Sequence, residues 1–178
     1  MNWIRLAPLM FLALGLMRPG AAFAEKLTFD HRTYPPLAAV LDSGRTEMIR
    51  FNDSNPKYIT DRIAVQGTSV DHWTEALDII VRLRSSKMNS AADWAGQIQR
   101  AASALCASTF TTIAQDETSL TFERHSSGCP AGTPQTGLYR IVTGRKSLFM
   151  LNSLAMGEMS APQRQQWLDL FVTARLEN

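Results

Sequence analysis

The residues best placed for chemistry are Glu123, His125, Ser126 and Ser127, where a carboxylate, an imidazole and two hydroxyls fall within five positions. Nucleophilic catalysis needs a hydroxyl or thiol beside a base, and an acid to orient that base. Of the three histidines, His31, His72 and His125, His125 is the one followed directly by two serines, with a carboxylate two residues before it. Glu123 and His125 share a face if a strand runs that far, because residues two apart on a strand point the same way. Neighbours in sequence seldom form a triad, however, and a solvated strand end is the simpler reading. Glu123, His125 and Ser126 are therefore kept as a surface site, and no residue is assigned as catalytic. There is no G-x-S-x-G elbow, no H-E-x-x-H and no glycine-rich phosphate loop.

Cys106 and Cys129 are the only cysteines. With His125 four residues before Cys129, the set has the makings of a three-ligand metal site, although no C-x-x-C pair is present to strengthen it. The choice between metal and disulfide depends on the compartment. Gly144-Arg145-Lys146 offers a further grip for one anion, but also reads as a polar hairpin turn.

The compartment is written in the first 24 residues. Arg5 supplies a positive start, Leu6 to Met17 are almost wholly apolar, and small residues converge on Ala22-Phe23-Ala24. This is the pattern of an export signal cut after Ala24. The apolar run is short of the roughly 20 residues that cross a bilayer, and Arg18-Pro19-Gly20 end it, so no membrane span is expected after cleavage. No cysteine follows the cut to carry a lipid. The expected location is the periplasm, where Cys106 and Cys129 should be joined, and no metal or other cofactor is expected.

Removing the signal changes the charge. The whole chain has 18 basic and 16 acidic residues, and Arg5 and Arg18 lie in the first 24, so the remainder carries 16 of each. A neutral chain without a Lys/Arg cluster argues against nucleic acid as a partner.

The elements that must position these side chains follow from periodicity and capping. The chain is expected to divide into a signal peptide over 1–24, an irregular arm over 25–45 and one domain over 46–178. Tyr34-Pro35-Pro36 and Asp42-Ser43-Gly44 suggest that the arm is irregular, and that its apolar Leu37 to Leu41 run orders against a partner. Ser90 with Asp93 caps a helix carrying Trp94, Ala95, Ile98, Ala101, Ala102 and Leu105 on one stripe. Ser160, Pro162 and Gln163 open a second helix with Trp167, Leu168 and Phe171. Trp94 and Trp167 read as core rather than as a ligand-stacking pair.

Residues 73–84 fit either a strand or a helix. The triplet Ile79-Ile80-Val81 and the alternation of Asp78, Arg82 and Arg84 favour a strand. Other strands are expected at Glu47–Phe51, Ile59–Val65, Phe110–Ala114, Ser119–Glu123, Leu138–Val142 and Ser147–Ser153. The expected fold class is α+β: a single antiparallel sheet with one apolar face covered by two main helices, a two-layer sandwich stapled by one disulfide.

The order of Gly67, Trp73-Thr74-Glu75, an alternating strand, a helix ending at Cys106, a strand pair, Cys129, the Gly137-Leu138-Tyr139 strand and a closing helix with Trp167 resembles a group of small exported proteobacterial proteins. The architecture is similar to Mog1/PsbP-like α+β domains. That resemblance implies a binding or assembly role and transfers no catalytic residue. The function expected is a non-enzymatic binding or accessory protein of the cell envelope, its partner a protein or envelope component. The alternatives are an inhibitor or immunity protein against a cell-wall-targeting enzyme, and a hydrolase using the His125 region.

Overall fold

The structure, a computed structural model, describes residues 25–52 and 58–177. The expected signal segment lies outside the described residues. Nine strands are described: β1 Lys26–Thr28, β2 Ile49–Arg50, β3 Tyr58–Ser69, β4 His72–Leu83, β5 Ala107–Gln115, β6 Ser119–Ser127, β7 Thr136–Thr143, β8 Ser147–Ala155 and β9 Arg175–Glu177. Three α-helices accompany them, α1 Pro35–Asp42, α2 Ala91–Leu105 and α3 Ala161–Val172. No helix among the described residues is long and apolar enough to cross a membrane.

Seven strands form one antiparallel sheet in the order β2-β3-β4-β8-β7-β6-β5, and β1 pairs with β9 in a separate two-stranded sheet. The α+β class is as expected, but a single sheet and two main helices are not. Nor is the arrangement two-layered. Opposed residues on antiparallel strands share a face, and successive residues alternate between faces. Ile63, Leu77 and Leu138 lie in one cross-strand row and pack, with Leu151, against Tyr34, Leu37 and Val40 of the N-terminal segment and Trp167, Leu170 and Phe171 of α3. Ile80, Met150, Ile141 and Leu120 form a row on the other face, against Ala91, Trp94 and Ala95 of α2. The sheet is thus sandwiched between helices. Leu148 to Leu151 is an uninterrupted apolar run because β8 is buried on both faces, the pattern of a central strand.

The stretch 25–45 corrects the expected irregular arm. Tyr34 is extended, as the residue before a proline prefers, and Pro35 and Pro36 occupy the first turn of α1, where a missing N–H costs nothing. The two prolines start a helix; Gly44, at φ 68°, follows its end in the left-handed region. Leu37 and Val40 are buried within this chain's own core.

The strand reading of 73–84 is correct. β3 and β4 pair along their length, with register shifts near the connecting turn that centre on Gly67. A Cβ at Gly67 would lie 2.3 Å from the His72 carbonyl oxygen, so the close backbone approach there admits only glycine. Both expected capping boxes form. Ser90 Oγ accepts from Asp93 N at 3.1 Å and Asp93 returns the bond to Ser90 N at 3.0 Å, while Ser160 and Gln163 exchange the same pair at 3.4 Å.

Candidate functional site

β6 carries Glu123, His125 and Ser126, and its pairing divides them. Glu123 lies opposite Leu138, and His125 opposite Thr136, on the α3 face; Ser126 points to the α2 face. Arg164 of α3 covers Glu123: its Nε is 2.9 Å from both carboxylate oxygens, and Nη2 is 2.9 Å from Oε2. The hydrogen bond to Glu123 raises the Arg164 pKa above its ordinary value, outweighing burial. His125 sits between two carboxylates, Nε2 at 3.3 Å from Glu123 Oε1 and Nδ1 at 3.3 Å from Glu158 Oε2. Its side chain is 43% exposed, and that of Glu158 is 72% exposed.

Ser126 takes no part in this cluster. Its Oγ is 2.8 Å from Ser108 Oγ, and Ser108 Oγ also donates to the Cys106 carbonyl at 3.2 Å. With the hydroxyl and the imidazole on opposite faces of one sheet, no proton passes directly from Ser126 to His125. A general base also needs a free acceptor nitrogen, and both His125 nitrogens face carboxylates. The geometry holds charge in place and assembles no nucleophile.

Cys106 and Cys129 form a disulfide with their Cα atoms 4.9 Å apart. It ties the α2–β5 junction to the connection between β6 and β7, and leaves neither sulfur as a thiolate ligand. Beside it, Ala107 to Thr109, His125 to Ser127 and Glu158 surround an open depression of about 400 Å³.

This depression opens onto β5, the outermost strand of the sheet. Ala-Ser-Thr-Phe-Thr-Thr-Ile-Ala-Gln has neither charge nor proline, two of the devices that protect a sheet edge, and its one irregularity is a register shift between Thr112 and Ala114, which leaves Ala107 to Thr112 regularly paired with β6. Ser126 N donates to Gln135 O, and Thr143 N to Thr118 O, so the even-numbered residues of β6 direct their backbone groups toward β7. The odd-numbered ones then serve β5. Phe110 pairs with Arg124 and Ser108 with Ser126, so Ser108, Phe110 and Thr112 turn their own N–H and C=O groups outward. On the side-chain faces, Thr109, Thr111 and Thr112 are exposed and Phe110 is half-buried.

The Gly144-Arg145-Lys146 turn does hold an anion, which comes from within the chain. Arg145 N lies 2.8 Å from both oxygens of the Glu25 carboxylate, and Lys146 N lies 3.3 Å from Oε2. Burial raises the Glu25 pKa, but the backbone donors and the charge of Arg145 outweigh it and hold the carboxyl below its usual value. A Cβ at Gly144 would come within 2.8 Å of Glu25 Oε2, so glycine leaves room for the carboxylate.

One polar centre was missed in the sequence. Glu75 is buried among apolar residues, and its Oε1 accepts from Tyr34 Oη and from Trp167 Nε1, each at 2.6 Å. Its Oε2 has no hydrogen-bond partner among the described residues. The signal was a gap: Trp73, Leu77, Ile79 and Val81 alternate, with a carboxylate standing where the apolar series calls for a hydrophobe. Trp94 and Trp167 are core residues, as expected, but on opposite faces of the sheet. Comparison with known proteins finds no family model that matches this chain and no match among curated proteins.

Proposed function

We propose that this protein is an exported, non-catalytic binding module of the cell envelope, and that it takes an extended segment of a partner protein onto the free edge of β5. The observation that carries this reading is the edge itself: nine uncharged residues, exposed threonines, and outward backbone groups at Ser108, Phe110 and Thr112 that no described strand pairs. Strand addition uses such groups for affinity and the alternating side chains for specificity. The disulfide beside the start of β5 fixes that strand to α2 and to the β6–β7 connection, so little order is lost on docking. The export signal read in residues 1–24 supports the periplasmic location, and the Mog1/PsbP-like resemblance supports a binding role.

A photo-crosslinking residue at Thr111, introduced in the producing cell, tests the reading. The expected result is a single partner band that disappears when Thr112 is replaced by proline. That change removes an outward N–H and leaves the β5–β6 bonds in place. Undiminished crosslinking in Thr112→Pro, or crosslinking from Arg50 on the opposite edge in place of Thr111, overturns the proposal. Periplasmic material beginning at Glu25 is expected in the same experiment, and cytoplasmic full-length chain rules out the location.

A further inference from the structure

We infer that the segment accepted by β5 carries a cationic side chain, which sits in the depression beside Glu158 and His125. This rests on the strand-addition reading and specifies its partner. The argument is one of charge and place. Thr109 of β5 pairs with His125 of β6, so a strand added outside β5 places one of its side chains next to Thr109, on the face where Glu158 lies. That face holds four ionisable groups within a short distance. Arg164 and Glu123 neutralise one another through bonds of 2.9 Å, and His125 lies between Glu123 and Glu158 with its side chain partly exposed. Glu158 remains, its only ion-pair contact among the described residues being His125, and most of its side chain in solvent.

The opposite face of the edge has a different character. Phe110 is half-buried and packs against the cluster beneath α2, and Ser108 is tied to Ser126. A side chain arriving there meets an aromatic surface and satisfied hydroxyls. The incoming strand therefore alternates, apolar toward Phe110 and cationic toward Glu158. Alternation of this kind is what an extended segment provides, since its side chains point to opposite sides at every step. Because residues 25–178 carry no net charge, preference for a basic strand arises from Glu158 locally rather than from the field of the whole protein.

The test uses two synthetic nine-residue peptides, one of alternating valine and lysine and one of alternating valine and glutamate, titrated into the purified protein at low ionic strength. Backbone amide exchange reports where each binds. The expected result is slowed exchange at Ser108, Phe110 and Thr112, with the lysine peptide bound roughly two- to fivefold more tightly, the range one exposed ion pair supplies. Glu158→Gln is expected to erase that preference, and Glu117→Gln, in the turn at the other end of β5, to leave it intact. Equal affinity for the two peptides, or a preference that survives Glu158→Gln, overturns the cationic specificity while leaving strand addition standing. Absence of protection at β5 with either peptide, or a stable dimer that buries β5 and excludes both, overturns strand addition itself.

Discussion

Trp167 Nε1 donates to Glu75 Oε1 at 2.6 Å, joining α3 to β4 across 92 residues of sequence. Tyr34 Oη donates to the same oxygen at 2.6 Å, and the Tyr34 and Trp167 rings lie 4.2 Å apart. One carboxylate thus connects the N-terminal segment, the sheet and the last helix inside an apolar cluster. Glu75→Leu leaves two buried donors without an acceptor and is expected to cost about 3 kcal/mol or more. Glu75→Gln keeps one carbonyl oxygen and should cost about 1–2 kcal/mol. Urea unfolding followed by tryptophan fluorescence measures both, and wild-type stability in Glu75→Leu would remove the network from any role in holding the layers together. Adding Tyr34→Phe and Trp167→Phe to Glu75→Leu should recover part of the loss, since no donor then stays unpaired.

The same network sets an alkaline limit. Burial first, then the hydrogen bond to Glu75 and its charge, push the Tyr34 pKa well above its ordinary value, and burial raises that of Tyr139. A group whose folded pKa is raised contributes stability that is complete below the unfolded value, about 10 for tyrosine, and is lost as pH rises toward the folded one. The melting temperature should therefore fall above about pH 10, and Tyr34→Phe should flatten that fall. A melting curve independent of pH across this range contradicts the assignment.

Acid acts on the same N-terminal segment, through Glu25. Because its folded pKa is lowered, Glu25 stabilises the docked N-terminal segment in full above the unfolded carboxylate value of about 4.3 and ceases to do so as pH drops through the folded one. Wild type and Glu25→Gln should differ in melting temperature near neutrality and converge in acid. Gly144→Ala, which crowds the same carboxylate, should resemble Glu25→Gln at neutral pH. If the two variants differ widely, the contact between Gly144 and Glu25 is not what the glycine serves.

The disulfide spans a sequence separation of 23. On the chain-entropy model, closing a loop of that size stabilises by roughly 3 kcal/mol. The double variant Cys106→Ala, Cys129→Ala should lose about that much. Intact and reduced protein should differ in mass by two hydrogens, and free thiols in periplasmic material would defeat the claim that the bond forms where the protein works.

His125→Ala is expected to change stability by no more than about 0.5 kcal/mol, as substitutions at partly exposed positions usually do. Arg164→Ala should cost more, about 1–2 kcal/mol, because it strips a largely buried Glu123 of its counter-ion. A loss at His125 as large as that at Arg164 would mean that the His125 contacts with Glu123 and Glu158 contribute materially to the fold.

Local rules in the sequence were enough for β4, for both capping boxes and for the pairing of the only two cysteines, because each depends on neighbours a few residues apart or on the absence of any other partner. Proline was misjudged at Pro35 and Pro36 for a related reason: the same residue that breaks a helix interior begins a helix, and only the packing of Leu37 and Val40 decides which applies. Periodicity identified strands but not how many faces they bury. The unbroken Leu148 to Leu151 run held that information, yet its meaning depends on helices more than 50 residues apart in sequence arriving on both sides.

For the site, the sequence alone placed Glu123 and His125 on one face on condition that the strand ran past Glu123, and it grouped Ser126 with them; the observed strand, Ser119–Ser127, meets the condition and turns Ser126 to the other face. Tertiary structure alone decided what that face does. Arg164 reaches Glu123 from α3, Glu158 reaches His125 from the connection before that helix, and the strand order puts β5 at the edge of the described sheet. Such contacts join residues dozens of positions apart, and no local pattern encodes a distance that only the closed sheet creates.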